Sequence, residues 1–354
     1  MTGGGPAPPQ TSGTGFASLL GQERVVEALA RALRNHRLPH ALLFHGPLGV
    51  GKATCAGILA QTLNCKAGEL LDACGTCVSC HKVARGLHPD VLWVSPEKGV
   101  IKVDQARTIV ESVAYRPYEG ERRVVIIDDA HAMNASAQNA LLKTLEEPPP
   151  SSLMVLVTPA AQSLLATVRS RCQPLRFQPL PLAALQQHLQ QAHGLSAGEA
   201  RLRAALAPGS LGAALGLDPE AYRQRRQVAE EALRDACQGG AALLAAAESL
   251  LAAGTGERKI EKAASAIAAV RDVLRDLLVL CAGSDQSMLV NAERADAWRG
   301  WAQQMHTDDI IAALDAIQRA DMRLHGPVQP NARLAIEQAL VETAAMLAPV
   351  GVDA

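Results

Sequence analysis

Short apolar runs alternate with helical periodicity through the first half of the chain. The predicted strands are Ala41–His45, Val91–Val94, Val124–Ile127 and Leu153–Val157, with a last short one at Leu175–Phe177. The predicted helices are Gln22–Asn35, Thr54–Asn64, Val103–Val113 and Ser136–Glu146, in which apolar residues recur at helical spacing. Such alternation is typical of a parallel sheet covered by helices. The first half is therefore predicted to be an α/β domain.

From Leu180 onward the pattern is helical, so the fold class is predicted to be α/β plus all-α. The helical stretches are interrupted at Pro208-Gly209, at Pro219, near Gly239 and Gly254, and at Gly326-Pro327. We predict a disordered tail at 1–15, an α/β domain at 16–178, a small helical domain at 179–218 and a helical bundle at 219–354. The tail is assigned on its Gly, Pro, Ser and Thr content.

Composition limits what the chain does with nucleic acid. Lys and Arg total 34 against 35 Asp and Glu, for a net charge of −1. No overall positive field therefore draws it to phosphate backbones, and three each of Trp, Tyr and Phe are too few for a base-stacking groove. Any contact with DNA is expected to be local or shared with an assembly, which also argues against an autonomous zinc-dependent nucleic-acid module.

The N-terminus lacks the basic start and apolar core of a signal peptide, and no run of 18 uncharged apolar residues occurs. We expect a soluble cytoplasmic protein without a membrane partner.

A glycine-rich segment follows the first predicted strand and precedes a helix, the context in which backbone N–H groups cradle phosphates. Its residues are Gly46, Pro47, Leu48, Gly49, Val50, Gly51, Lys52 and Ala53, followed by Thr54. Ala53 stands where a hydroxyl normally coordinates Mg²⁺, and Thr54 is rotated from that position by roughly 100° around the helix. Either a degenerate nucleotide site or a turn kept only for structure fits this segment.

Two carboxylates, Asp128 and Asp129, end an apolar strand. Asp128 suits a position that holds Mg²⁺ through water, whereas Asp129 is one methylene shorter than the Glu that usually polarises the attacking water. The alternative is a pair of solvated acids at a strand end.

Four cysteines lie within sixteen residues at Cys65, Cys74, Cys77 and Cys80. Four soft thiolates at this spacing predict a closed tetrahedral Zn²⁺ site with a structural role. Redox chemistry is the minor alternative, because a closed site leaves no open coordination position. The other cysteines are expected in packing positions.

Several segments together resemble the AAA+ clamp-loader subunits of bacterial DNA polymerase III, across nearly the whole chain. They are FASLLGQ at 16–22, HALLFHGPLGVGK at 40–52, the four-cysteine insert, NALLKTLEEPP at 139–149 and Ser170-Arg171-Cys172. The resemblance implies a RecA-like AAA+ domain with a zinc module at 65–80, a three-helix lid and a C-terminal collar that oligomerises. It also places Thr158 at the sensor-1 position and Arg171 as an arginine finger that acts in trans.

Departures from the motor pattern distinguish two kinds of subunit within this family. A motor subunit of the gamma/tau type would have a hydroxyl at Ala53, Glu at Asp129 and Arg at Gly212. All three are missing, and the segments 88–91 (His-Pro-Asp-Val) and 118–120 (Tyr-Glu-Gly) resemble the non-motor delta-prime type. An ATP-hydrolysing gamma/tau subunit is the alternative.

The resemblance implies partners and limits the cofactors. A delta-prime-type subunit would join gamma/tau motors and delta in a hetero-pentamer that places the sliding clamp on primer–template DNA. It would be a component of the DNA polymerase III holoenzyme, a DNA-directed DNA polymerase by complex membership, without ATPase activity of its own. Structural Zn²⁺ is expected, Mg²⁺ is not, and binding of ATP or ADP without turnover stays open.

Self-association is assigned to the helical region after Pro219. The candidate faces are Ala266, Ile267, Val270, Val273 and Leu274, with the domain's own core as the alternative.

Overall fold

The computed structural model describes residues 15–67, 72–324 and 331–347. The predicted tail, apart from Gly15, and the predicted break at Gly326-Pro327 lie outside the described residues. The chain forms two compact units: Met1–Gly194 with Ala207–Leu215, and Leu195–Leu206 with Gly216–Ala354. The domain boundaries at 178 and 218 remain predictions.

The first unit is built on a five-stranded parallel sheet, which confirms the predicted class. Its strands are β1 (Ala41–His45), β2 (Val91–Val94), β3 (Arg123–Ile127), β4 (Ser152–Thr158) and β5 (Gln173–Arg176), in the order β2-β3-β4-β1-β5. The helices up to residue 216 are α1 (Glu23–Arg34), α2 (Lys52–Asn64), α3 (Val78–Ala84), α4 (Val103–Ala114), α5 (Ala135–Glu146), α6 (Ala166–Arg169), α7 (Leu182–His193), α8 (Ala197–Leu206) and α9 (Leu211–Gly216). Of these, α8 belongs to the second unit.

Alternate residues of each central strand pack on opposite faces of the sheet. On β1, Leu42 and Phe44 join a core that includes residues of α1 and α2, whereas Ala41 and Leu43 join a core that includes residues of α4 and α5. Because both faces are covered, β3 and β4 read as continuous apolar runs rather than as alternating ones. The carboxyl ends of all the strands meet at one edge, where the candidate site lies.

The last strand is shifted from its predicted position. It covers Gln173–Arg176 instead of Leu175–Phe177, and Pro174 pairs with Leu43 inside the strand. Because β5 is an edge strand, Pro174 is tolerated inside it although proline has no N–H to donate. Phe177 follows the strand and is fully buried against Phe44.

The second unit is helical, as predicted. Its later helices are α10 (Pro219–Ala236), α11 (Gly240–Ala253), α12 (Lys259–Cys281), α13 (Ala295–Ala302), α14 (Thr307–Leu324) and α15 (Ala332–Leu347). Asp218 caps α10 by accepting from two backbone N–H groups, and Pro219 occupies the first helical turn. Among the helices that the structure describes, none is long and apolar enough to cross a lipid bilayer.

The five residues given as candidate association faces are buried in the core of this unit, which is the alternative stated for them; self-association of the region after Pro219 stays a prediction. They are Ala266, Ile267, Val270, Val273 and Leu274, all on α12. The helix α12 packs against α10, α13 and α14, and its apolar stripe is used for that packing.

Candidate functional site

The glycine-rich segment forms the predicted loop between β1 and α2. Gly46, Gly49 and Gly51 have φ angles of 139°, 70° and 94°. Residues other than glycine rarely adopt a positive φ. At Gly46 a Cβ would also lie 2.3 Å from the carbonyl oxygen of Phe177. The shape of the loop therefore requires glycine at these positions, and the chain that follows β5 packs closely on Gly46.

Lys52, at the first position of α2, turns its ammonium group back into this loop. Its Nζ donates to the carbonyl of Gly46 at 2.7 Å and also to the carbonyl of Pro47. Burial lowers the pKa of Lys52, and the carboxylates of Asp128 and Asp129 oppose that effect. A phosphate entering the loop would have to draw the ammonium away from these carbonyls.

The next two positions offer no metal ligand of the usual kind. The methyl group of Ala53 packs on the core of the first unit. Thr54 is half-buried one residue further along α2, rotated by roughly 100° from the position that faces the loop.

Asp128 and Asp129 follow β3 at the same edge of the sheet as Lys52. The backbone N–H of Asp129 donates to Oδ1 of Asp128 at 3.0 Å. Burial raises the pKa of Asp128, and the charge of Asp129 adds to the increase. Asp129 has a left-handed backbone, with φ of 49°, and a side chain exposed to solvent beside His131.

Thr158 ends β4 beside His45 of β1 and is fully buried. Its hydroxyl accepts from the backbone N–H of Ala160 at 3.1 Å. The topology thus brings the candidate loop, the two acids and Thr158 to one edge, although their roles toward nucleotide stay predictions.

The start of α9 packs directly on the loop. The backbone N–H of Gly212 donates to the carbonyl of Gly49 at 3.2 Å, and a Cβ on Gly212 would lie 3.5 Å from the Cα of Gly49. A longer side chain at 212 would therefore start beside the phosphate loop. With glycine there, this position supplies no cation.

Gln22 is a site residue whose role we did not predict. It is buried, and its amide nitrogen donates to the carbonyls of Val50 and Gln178 at 3.3 and 2.8 Å. Its amide oxygen accepts from the N–H of Gln178 at 3.1 Å. The side chain thus joins the glycine-rich loop to the segment after β5. The available signal was its position in FASLLGQ.

The four clustered cysteines are brought together as predicted. Their Sγ atoms all lie within 4.8 Å of one another. Four thiolates at about 2.3 Å from a tetrahedral Zn²⁺ would be roughly 3.8 Å apart, so a small contraction fits the ion. The four cysteines, Cys65, Cys74, Cys77 and Cys80, can therefore bind a metal such as zinc.

Backbone N–H groups point at the sulfur atoms, as expected where thiolate charge is held. Those of Cys74 and Cys77 donate to the sulfurs of Cys65 and Cys74, both at 3.3 Å. The N–H groups of Thr76 and Cys77 lower the pKa of Cys74 to about 6. The insert is fixed to α2 because Ser79 donates to the carbonyl of Asn64 at 2.6 Å.

The cysteines outside the cluster pack against the cores of the two units, and Cys55 and Cys172 are buried there. Burial raises the pKa of Cys55, and it raises that of Cys172 to about 11. Cys237 and Cys281 are half-buried against the core of the second unit.

Arg171 lies just after α6, at the surface of the first unit. Its guanidinium donates to a carboxylate oxygen of Glu146 at 2.5 Å and to the carbonyl of Thr167 at 2.8 Å. Arg169, at the end of α6, is exposed. The sequence did not indicate that Glu146 would hold the predicted finger.

The two segments that resemble the delta-prime type are in direct contact. Asp90, fully buried, accepts from the backbone N–H groups of Tyr118, Glu119 and Gly120 at 2.7 to 2.8 Å, and from Arg123 at 3.1 Å. Burial opposes ionisation of Asp90, but the three N–H groups and Arg123 outweigh it and lower its pKa.

The sequence relatives are subunits of DNA polymerase III. Residues 21–181 match a family described as DNA polymerase III, delta subunit. The chain is 39% identical over 168 residues to subunit delta' of Bacillus subtilis, which covers 48% of this chain and 51% of that protein. It is 37% identical over 220 residues to subunit tau of Escherichia coli, covering 60% of this chain and 33% of that protein.

A third relative, subunit tau/gamma of Haemophilus influenzae, is 38% identical over 174 residues, covering 49% of this chain and 25% of that protein. The chain thus spans between a quarter and about half the length of these relatives. Identity to tau and to delta' is nearly equal, so identity does not separate the two types.

Solved structures resemble the chain over most of its length at low TM-scores. A gamma subunit-related protein of Thermotoga maritima gives a TM-score of 0.40 at 20% identity, over 91% of this chain and 99% of that chain. The clamp loader delta protein of Bacillus subtilis gives 0.36 at 13% identity, over 90% and 99%. The sequence match therefore carries the resemblance: residues 21–181 are similar to the family described as DNA polymerase III, delta subunit, and the chain is similar to subunits delta' and tau.

Proposed function

We propose that the chain is a delta-prime-type, non-motor subunit of a clamp loader. In this role it joins gamma/tau and delta subunits in a hetero-pentamer that places the sliding clamp on primer–template DNA. Arg171 serves the ATP site of a neighbouring motor subunit. The proposal rests on the family match and on the degenerate nucleotide site.

One observation carries the non-motor assignment: Lys52 binds the carbonyls of its own loop while Ala53 stands beside it. Phosphoryl transfer needs a metal held between the loop and a strand-end acid, and Ala53 supplies no oxygen for it. Two further groups of the motor pattern are also missing, because Asp129 stands in place of Glu and Gly212 in place of Arg. The chain is therefore inactive as an ATPase by itself, whatever its affinity for nucleotide.

The arginine finger acts outside its own subunit. A guanidinium is planar, always charged at neutral pH, and binds phosphate oxygens through two parallel hydrogen bonds. Arg171 is partly exposed and is held by an ion pair at the surface rather than by the core, so it is available to a neighbouring subunit.

Zn²⁺ has a structural role in this proposal. The ligands are Cys65, Cys74, Cys77 and Cys80, and four thiolates complete its tetrahedral coordination. No position is left for substrate, so the ion stabilises an insert that is too small for a core of its own.

The test compares ATP turnover by this chain, by the motor subunit and by their mixture. We expect no turnover by the chain alone and stimulation in the mixture. A gamma/tau-type motor is kept as the alternative because the identity to tau is nearly equal to the identity to delta'. Steady Mg²⁺-dependent turnover by the chain alone, abolished by Lys52→Ala, would establish that alternative.

A further inference from the structure

Both terminal nitrogens of the Arg171 guanidinium are bound to acceptors of its own chain. Nη2 donates to Oε1 of Glu146 at 2.5 Å. Nη1 donates to the carbonyl of Thr167 at 2.8 Å and to the hydroxyl of Ser170 at 3.4 Å. A guanidinium recognises a phosphate through the same N–H groups, usually two at a time. The finger is therefore already occupied where a phosphate would bind it.

Of these three acceptors, Glu146 alone carries a charge. It is the last residue of α5, an end at which the helix dipole disfavours a carboxylate. A second acid, Glu147, follows it and is also exposed. The position of Glu146 is thus unfavourable for its own helix, and the ion pair that compensates it is the one with Arg171.

The backbone that carries Arg171 is fixed on both sides. Val168 and Cys172 are buried in a core of the first unit, and the N–H of Arg171 donates to the carbonyl of Val168 at 3.2 Å. The segment before α6 is also fastened to α5, because the N–H of Leu165 donates to Oε1 of Gln138 at 2.7 Å. The guanidinium can therefore change its partner by rotation of its side chain, and loss of the ion pair should leave the fold intact.

We infer that Glu146 is an internal competitor for the nucleotide phosphate that Arg171 serves in a neighbouring subunit. A carboxylate and a phosphate present charged oxygens of the same kind to a guanidinium, so they compete for its N–H groups. Glu146 holds the finger while no phosphate is within reach and releases it when the neighbour binds ATP. The pair is partly exposed and therefore weak, so the exchange is reversible. This role rests on the proposed function, because it regulates the site that the finger serves.

The first test uses the full chain without partners. It measures the rate at which phenylglyoxal modifies Arg171, followed by mass spectrometry, because this reagent must reach the guanidinium nitrogens. We expect Glu146→Gln to raise the rate at Arg171 about two- to fivefold and to leave the rate at Arg169 unchanged. Glu147→Gln is the matched control, since it removes the adjacent acid at the same helix end, and both rates should stay at the wild-type values. Circular dichroism melting verifies that each variant is folded.

The second test measures ATP turnover by the reconstituted loader as a function of ATP concentration. Glu146→Gln should raise kcat/KM by up to about fivefold, mainly through a lower KM, because binding of the finger to phosphate no longer requires the ion pair to break. This gain should shrink as the salt concentration rises, since ions screen the exposed pair of the wild type. Glu147→Gln should match the wild type. If Glu146 had only a structural role, its replacement would lower kcat/KM instead.

Two results would overturn the inference. One is an unchanged rate of modification of Arg171 in Glu146→Gln, and the other is a kcat/KM that does not rise in the loader carrying that variant. Failure of the proposed function itself would show differently, as wild-type turnover in an assembled Arg171→Ala loader. Modification of Arg171 is measured in the isolated chain without ATP, so it reports on the Glu146 contact whichever way the turnover test of Arg171 comes out.

Discussion

An Nη atom of Arg171 lies 2.5 Å from a carboxylate oxygen of Glu146, so the Arg of the Ser-Arg-Cys segment and an acid of NALLKTLEEPP form one ion pair. Both side chains are partly exposed, and surface pairs of this kind contribute about 1 kcal/mol or less. The pair therefore orients the guanidinium, but it is weak enough for a phosphate to replace the carboxylate.

Replacing Arg171 by Ala should leave folding and assembly nearly intact while reducing ATP hydrolysis by the complete loader. A trans-acting guanidinium contributes on the order of 10³ or more to the rate at the site it serves. Reconstituted loaders carrying Arg171→Ala and Arg169→Ala are compared for DNA-stimulated ATP turnover. Arg169 shares the charge but lacks the ion pair, and its replacement should have the smaller effect. Unchanged turnover in an assembled Arg171→Ala loader would refute the trans-acting role.

One zinc ion should be bound per chain. Elemental analysis of freshly purified, reduced protein measures it, and Cys77→Ser should lower the zinc content sharply because one of four thiolates is lost. Cys237→Ser is the matched control, since Cys237 lies outside the cluster and packs on the core of the second unit. Zinc-free wild-type protein would contradict the assignment.

Asp90→Asn should destabilise the first unit by about 3 kcal/mol, because it leaves the partly buried Arg123 without its carboxylate and weakens three backbone hydrogen bonds. The pKa of Asp90 is lowered on folding, so its contribution is present above its unfolded pKa and is lost as the pH falls through the lower folded value. Thermal melting measures the loss, and trypsin should cleave faster after Arg122. Asp104→Asn, at an exposed ion pair on α4, is the control. Equal stability of the two variants would disprove the supporting role.

Asp272 should make the second unit less stable as the pH rises. Burial raises its pKa to about 6, against the opposing charge of Arg271, so the folded chain binds the proton more tightly than the unfolded one. Stability should therefore fall between about pH 4 and pH 6 and then level off. Asp272→Asn should be more stable than wild type at pH 7, by up to about 3 kcal/mol, and should approach it at pH 4.

Urea unfolding of the Asp272→Asn variant, followed by tryptophan fluorescence, provides the measurement, since Trp298 and Trp301 report on the second unit. Asp235→Asn removes an exposed acid of α10 and should change stability by less than about 0.5 kcal/mol at either pH. If the difference in unfolding free energy between Asp272→Asn and wild type does not grow as the pH rises, the raised pKa of Asp272 would be contradicted.

The strands and helices of the first unit could be predicted because their signals are local. Four of the five strands were placed within one residue at each end, since apolar runs and Gly-rich turns bound them. The bounds of β5 were predicted less well because a strand can contain a residue such as Pro174 only where it lies at an edge of the sheet. Apolar periodicity carries no information on the order of strands in a sheet.

Contacts between distant segments could not be predicted. The cysteine cluster could be predicted because its four ligands are close in sequence. The contacts of Gln22 with Gln178 and of Glu146 with Arg171 join distant segments and form only when the sheet does. The two alternatives for the apolar stripe on α12 could not be separated for a related reason: a stripe does not reveal whether it packs inside its own unit, as it does here, or against another chain.

The strand order has a consequence for synthesis on the ribosome. The first strand, β1, pairs with β4 and β5, so more than a hundred residues must be translated before it has a partner, roughly 5 to 20 seconds at typical elongation rates. During that interval the apolar residues of β1 have no sheet to join. The cysteine cluster, complete within sixteen residues, needs no such wait. Metal capture can therefore precede closure of the sheet, whereas the apolar side chains of β1 stay without a neighbouring strand until β4 emerges.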